Sequence, residues 1–178
     1  KGLPPVVAAG IPIGVDTLHR HGWRGIGRLR PGLALVVFTV IVLPWHLIVA
    51  LRTPGFAWDY IVNQHLLALI GKKQPRDSVG VSLGTFWGAF IARGSPWIVF
   101  VPLTIREALR SRGDDAERGA TITLWAWILG LMLLFSASPS RLEHYSIPAL
   151  PAVALLAARG WQRLYARHVA GGVWYAYA

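Results

Sequence analysis

Cysteine is missing from this 178-residue chain. That excludes a disulfide framework and any cysteine-based metal site. Charge is scarce as well, with 15% of residues Asp, Glu, Lys or Arg, where a soluble domain carries about a quarter. No H-E-x-x-H or H-x₃-H spacing occurs, so the histidines and scattered acids form no recognisable metal motif. There is no G-x-S-x-G, no P-loop and no dinucleotide fingerprint. Internal repeats and low-complexity linkers are absent too, and the start at Lys1 has no signal-peptide layout. The expectation is a piece of a longer protein, cut at both ends.

What fills the chain is apolar. Hydrophobic residues make up 54%, mean hydropathy is +0.46, and there are nine tryptophans. Trp collects at membrane interfaces, so this composition indicates a membrane protein. Five apolar segments stand out. Leu3–Val15 is shorter than the roughly 20 residues a span needs and reads as the tail of a helix, ending near Ile13. Gly32–Leu51 and Ala120–Ala137 are clean spans. Ser82–Ile105 is apolar but interrupted at Arg93–Pro96, and Leu142–Ala158 needs its polar first turn to reach the interface. The fold class expected is all-α: a polytopic transmembrane helix bundle occupying residues 1–160, followed by a cytoplasmic tail or truncated end over 161–178.

A net charge of +10 raises the question of nucleic acid. The basic residues, however, lie in short clusters between apolar runs, which is the positive-inside pattern and not a nucleic-acid face. Asp16–Pro31 carries Arg20, Arg24, Arg28 and Arg30. Arg106–Gly119 carries Arg106, Arg110, Arg112 and Arg118, and the tail carries Arg159, Arg163 and Arg167. If the segments alternate, these three stretches share the cytoplasmic side. Lys1, the loop Arg52–Val81 and the link Ser138–Arg141 then face outward.

The outer loop has helical periodicity. Trp58, Ile61, Val62, Leu66, Leu69 and Ile70 recur at three- and four-residue steps. A short amphipathic helix lying in the membrane surface is expected there, with a basic run at Lys72–Asp77. The outer face thus gathers Lys1, His65, Lys72, Lys73, Arg76, Arg93, Arg141, His144 and Tyr145. Cations and a Tyr hydroxyl are what a phosphate ester at the interface requires. Plainer roles stand beside that one. The lysines and Arg76 serve equally as headgroup contacts, His65 as a hydrogen-bonded structural residue, Arg141 and Glu143 as helix caps, and Tyr145 as an interfacial anchor.

Three blocks in order carry a family likeness: "LPWHLIVALRTPGFAWDYIVNQHLLALIGKKQPRDS", "SPWIVFVPL" and "FSASPSRLEHYSIPALPAVALL". Together with the opening "KG", they resemble the C-type membrane glycosyltransferases over roughly residues 1–160. The nearest group is that of the bacterial aminoarabinose lipid A transferases and protein O-mannosyltransferases. The resemblance implies an enzyme that moves a sugar from a polyprenyl-phosphate donor to a lipid or protein acceptor on the outer face of a bacterial inner membrane. It also implies that Lys1, His65, Arg141 and Tyr145 bind the donor phosphate, with Lys72, Lys73 and Asp59 as additional candidates. Arg141 stands where the family often has lysine, which keeps the charge and changes the geometry. Lys72 or Lys73 would replace a basic residue that relatives carry soon after the loop histidine. The family's catalytic aspartate belongs to an upstream loop, so no catalytic residue is expected here, and Asp59 reads as helix N-terminal stabilisation. Expected partners are the lipid-linked sugar, the acceptor and membrane lipids, without nucleic acid. The cofactor stays open: no ligand set for a divalent metal is present. The other class to weigh is a non-enzymatic transporter or flippase of a lipid-linked anion, since transporters also use broken, proline-bearing helices.

Overall fold

The structure, a computed structural model, describes residues 3–68, 70–75, 79–105, 109 and 115–176. Helix α1 covers Leu3–His21. It runs past its expected end near Ile13, because Asp16 and Arg20 pair at 2.8 Å across one turn and prolong the helical register. A 3₁₀ segment, Trp23–Leu29, leads through left-handed Arg30 into α2, Pro31–Arg52. Pro31 at the first helical position fits that start, where its missing N–H is not needed. The 22 residues of α2 reach about 33 Å at 1.5 Å per residue, slightly more than a bilayer's hydrocarbon core. No residue of α2 is buried, and an all-round apolar helix of that length belongs in lipid or against other membrane helices.

One α turn, Phe56–Trp58, continues into a π-helix, Asp59–Leu67. Helix α3, Leu83–Gly94, is capped by Ser82, whose hydroxyl accepts from the Thr85 amide at 3.0 Å. A 3₁₀ segment, Trp97–Thr104, follows, and the two are bent by 98° at the Ser95–Pro96 break. Helix α4 covers Asp115–Ala137. A 3₁₀ turn, Glu143–Ala149, then feeds α5, Leu150–Ala176, which passes residue 160 without interruption. Among the described residues there is no strand.

The core lies among α3, the 3₁₀ segment after it, α4 and the start of α5. Phe86, Phe90, Val101, Ile128, Leu131 and Met132 pack against Ala149, Ala152, Val153, Leu156 and Ala157. The α5 stripe repeats at three and four residues, and its alanines let the neighbouring backbones come close. Several polar groups inside this bundle are mated, while the enclosed Trp127 indole N–H has no partner among the described residues. Trp125 donates its indole N–H to Thr104 Oγ1 at 3.0 Å, and Trp87 donates to Ser136 Oγ at 3.1 Å. Arg159 donates to the Glu117 carbonyl and to Thr121 Oγ1 at 3.1 and 2.8 Å.

The chain is an all-α membrane protein. Among the described residues two helical runs, Trp23–Arg52 and Ala116–Ala137, are long and apolar enough to cross a membrane, and the bent pair makes a third if it counts as one span. Ser82–Ile105 turns sharply at the expected interruption, Arg93–Pro96. Leu142–Ala158 is divided between a 3₁₀ turn and an α-helix, since Pro148 has no N–H for the α ladder.

Candidate functional site

Arg141 sits in extended chain just before the 3₁₀ turn. It donates Nη1–H to the Val81 carbonyl and Nη2–H to the Ser136 carbonyl, both at 3.0 Å. Val81 returns its amide to the Arg141 carbonyl at 3.0 Å. Arg141 thereby clamps the end of the outer loop onto the end of α4. Its partners are neutral carbonyls, and no carboxylate among the described residues pairs with it. The Nε atom is enclosed without a partner among the described residues.

Tyr145 lies four residues on but does not share an α-helical face with Arg141, because the intervening chain is extended and then 3₁₀. The two are therefore set loop to turn and not one helical turn apart. The Tyr145 ring packs against Phe135 and His144, with both centroids at 4.9 Å. Glu143 is occupied by Arg93, whose Nη2 is 3.5 Å from its carboxylate. Arg93 Nη1 also donates to the Glu143 carbonyl at 2.9 Å and to Ser146 Oγ at 3.4 Å. Among the described residues Arg93, unlike Arg141, thus faces a carboxylate.

His65 belongs to an aromatic stack that sequence reasoning did not foresee. Its Nδ1 bonds the Tyr60 carbonyl, an i,i+5 contact of the π-helix, and its ring meets Tyr60 edge-on at 5.0 Å. His46 lies edge-on to Tyr60 at 4.9 Å and bonds the Val42 carbonyl through Nδ1 at 2.8 Å. A carbonyl only accepts, so both histidines carry their proton on Nδ1 in these bonds. Phe56 stacks on Tyr60 at 5.5 Å, and Trp45 packs on His46 and Phe56. The stack joins the end of α2 to the π-helix. Its signal was the close run of aromatics and histidines from Trp45 to His65.

Asn63, 1% exposed, organises the rest of the loop. Its Nδ2 donates to Asp59 Oδ1 at 2.7 Å and to the Gln74 carbonyl, and its Oδ1 accepts the Gln74 amide at 2.9 Å. Asp59 accepts from Gln64 Nε2 at 3.3 Å as well. Beyond the π-helix, Gly71 turns the chain back at φ +73°. Lys72, Lys73 and Gln74 then line a cleft of about 480 Å³ with Trp58 and Leu67. Gly71 and Gly80 both lie against Pro139 of the Ser138–Arg141 link: a Cβ on Gly80 would strike the Pro139 carbonyl, and one on Gly71 would press on its ring. Lys1 and Arg76 lie outside the described residues. Among the described residues no three His, Asp or Glu gather as metal ligands.

Three relatives align with most of the chain. The undecaprenyl phosphate-alpha-4-amino-4-deoxy-L-arabinose arabinosyl transferase of Enterobacter sp. (strain 638) is 26% identical over 147 residues, covering 81% of this chain and 25% of its own length. The second such transferase of Pseudomonas fluorescens (strain Pf0-1) is 27% identical over 142 residues, covering 78% and 24%. That of Edwardsiella ictaluri (strain 93-146) is 26% identical over 150 residues, covering 83% and 25%. No family model matches the chain, and no solved structure matches it. These alignments bear out the resemblance to the C-type membrane glycosyltransferases. Within that class it is the arabinosyl-transferase branch that the names support, and the mannosyltransferase branch is not among them. The chain spans about a quarter of the length of the relatives it matches.

Proposed function

We propose that the chain is part of a multi-pass glycosyltransferase of the bacterial inner membrane. It takes a sugar from an undecaprenyl-phosphate-type donor and delivers it to a lipid or protein acceptor on the outer face. The observation that carries this reading is Arg141, a guanidinium held just before the 3₁₀ turn that feeds the last helix, its bonds among the described residues all going to neutral carbonyls. A cation fixed in this way is suited to an anionic ligand, and at a membrane interface a lipid phosphate is the anion at hand.

The role follows from the chemistry. When a sugar leaves a polyprenyl phosphate, negative charge grows on the departing phosphate, and preorganised donors stabilise it. Arg141 supplies the charge, Tyr145 a hydroxyl, and His65 and Lys1 flank the phosphate in this proposal. Asp59, committed to Asn63 and Gln64, is not assigned as the base. The chain alone is therefore expected to be inert in transfer. Transfer by the chain alone, abolished in Asp59→Asn, would overturn that.

Binding of a polyprenyl-phosphate analogue to the intact enzyme tests the reading. Arg141→Gln should weaken it about tenfold or more, and Tyr145→Phe less, since charge-assisted bonds exceed neutral ones. Unchanged affinity in both variants, with folding intact, reduces the pair to anchors. One observation favours a transporter or flippase of lipid-linked anions: the 98° bend between Leu83–Gly94 and Trp97–Thr104, which suits a re-entrant element. Transbilayer movement of a labelled polyprenyl phosphate, without sugar transfer by the intact protein, would select it.

A further inference from the structure

We infer that the 3₁₀ segment Trp23–Leu29 is an amphipathic docking element for the membrane surface, which binds anionic bilayer lipid where α2 begins. It lies at the end of α2 away from the outer loop and does not rest on the donor reading.

The helix type gives this segment three straight faces, because side chains three apart eclipse one another in a 3₁₀ helix. One face carries Gly25 and Arg28 and is docked on α1. Gly25 is buried, and a Cβ on it would collide with Thr17 and His21. Arg28 Nη1 lies 3.2 and 3.4 Å from the two ring nitrogens of that same His21. Fixing one face fixes the other two. The second is an apolar ridge of Trp23, Ile26 and Leu29, which are 79%, 40% and 44% exposed. In an α-helix these three would fan out over about a third of a turn. The third face carries Arg24, and the chain leaves the segment through Arg30, the left-handed residue before α2; both arginines are exposed.

Charge and position together name the occupant. Between Lys1 and Trp58 the sole acid is Asp16, and Arg20 holds it at 2.8 Å. The guanidinium groups of Arg24 and Arg30 have no partner among the described residues. The ridge runs straight into α2, and the two form one apolar stretch, Trp23–Arg52, with no part of its most apolar window buried in the protein. A ridge at the foot of a lipid-facing helix stands at the depth where Trp collects, and arginines beside it reach the headgroup phosphates. A zwitterionic headgroup balances its phosphate with its own cation, whereas an anionic one leaves the charge to the protein, which sets the preference. A soluble polyanion would match the arginines but leave the ridge in water.

The test uses the full chain reconstituted in phosphatidylcholine vesicles. A small fixed fraction of the lipid is replaced in turn by phosphatidylglycerol or phosphatidylcholine brominated in the upper acyl chain. Bromine quenches an indole on contact, and wild type minus Trp23→Phe isolates one indole among nine. Trp23 should be quenched by both lipids, with a relative affinity about tenfold higher for phosphatidylglycerol. In Arg24→Gln/Arg30→Gln, measured with and without Trp23→Phe, that preference should fall about threefold or more, while quenching by phosphatidylcholine persists because the ridge is intact. Arg52→Gln, at the far end of α2, should leave the preference unaltered. A Trp23 that neither lipid quenches would mean that the ridge is covered by protein or stands in water, and would overturn the inference. Equal quenching by the two lipids, an unchanged double-arginine variant, or an equal loss in Arg52→Gln would overturn it as well.

Discussion

Arg93 and Arg141 illustrate how side-chain partners decide a residue's role. Arg93 holds the Glu143 carbonyl, the Glu143 carboxylate and the Ser146 hydroxyl, so its charge is spent within the fold. The carboxylate contact is the weakest of these, at 3.5 Å with both side chains partly exposed (32% and 48%). Exposed pairs contribute about 0–1 kcal/mol. Glu143→Gln is therefore expected to cost less than about 1 kcal/mol, while Arg93→Ala, which also strips the carbonyl bond, costs about 1–3 kcal/mol. Denaturant unfolding in detergent, following helicity, checks the order. Asn63 is a harsher case because it is buried and mates with Gln74 in both directions. Asn63→Ala leaves two backbone groups unpaired and is expected to cost about 1–3 kcal/mol. Its mark should be faster hydrogen exchange at the Gln74 amide, with α4 unaffected.

Between elements, glycine sets how closely backbones approach. A Cβ on Gly160 would collide with the Phe100 carbonyl, and one on Gly80 with the Pro139 carbonyl. Neither obstacle is a flexible side-chain end, so Gly160→Ala should separate α5 from Trp97–Thr104 and destabilise by about 1–3 kcal/mol. Gly10→Ala in α1, with open space around it, should be neutral or gain up to about 1 kcal/mol from helix propensity. Parallel thermal melts of the two variants make the comparison. The same elements show what the amino-acid pattern reveals and what it hides. Long apolar runs specify α2 and α4, because a membrane helix satisfies its own backbone and needs no distant partner. The break at Arg93–Pro96 is legible for the same local reason, but its 98° angle is set by packing against α5. The stripe from Trp58 to Ile70 was counted at α-helical period, and the π-turns change which of its residues meet. The Arg141–Val81 clamp joins positions 60 residues apart, and no local pattern encodes such a pairing. Tyr145 and Arg141 were legible as candidates by residue type and family likeness, whereas their loop-to-turn geometry depended on Pro148.

For the molecule as a whole, the membrane imposes a sidedness that side-chain contacts alone do not specify. Basic residues concentrate at Arg20–Arg30 and again along α5 from Arg159 to Arg167. Lys/Arg bias, not net charge, sets orientation. Residue 24 should therefore be cytoplasmic, and so should residue 112, which lies outside the described residues. Gln74, exposed on the loop after the π-helix, should face outward. Between Arg24 and Gln74 one described helix, α2, is long and apolar enough to cross, so the two positions lie on opposite sides if α2 spans. The complete lack of cysteine makes the experiment clean, since each introduced cysteine is the sole thiol of the chain. With Arg24→Cys, Arg112→Cys and Gln74→Cys made singly in intact cells, a membrane-impermeant maleimide should label only position 74. Permeabilisation should expose the other two. Labelling at 24 or 112 without labelling at 74 would invert the molecule and put Arg141 and the lysine cleft on the cytoplasmic face. Labelling of both 24 and 74 from outside would instead mean that α2 does not cross. Its exposed apolar surface would then have to be covered by protein and not by lipid.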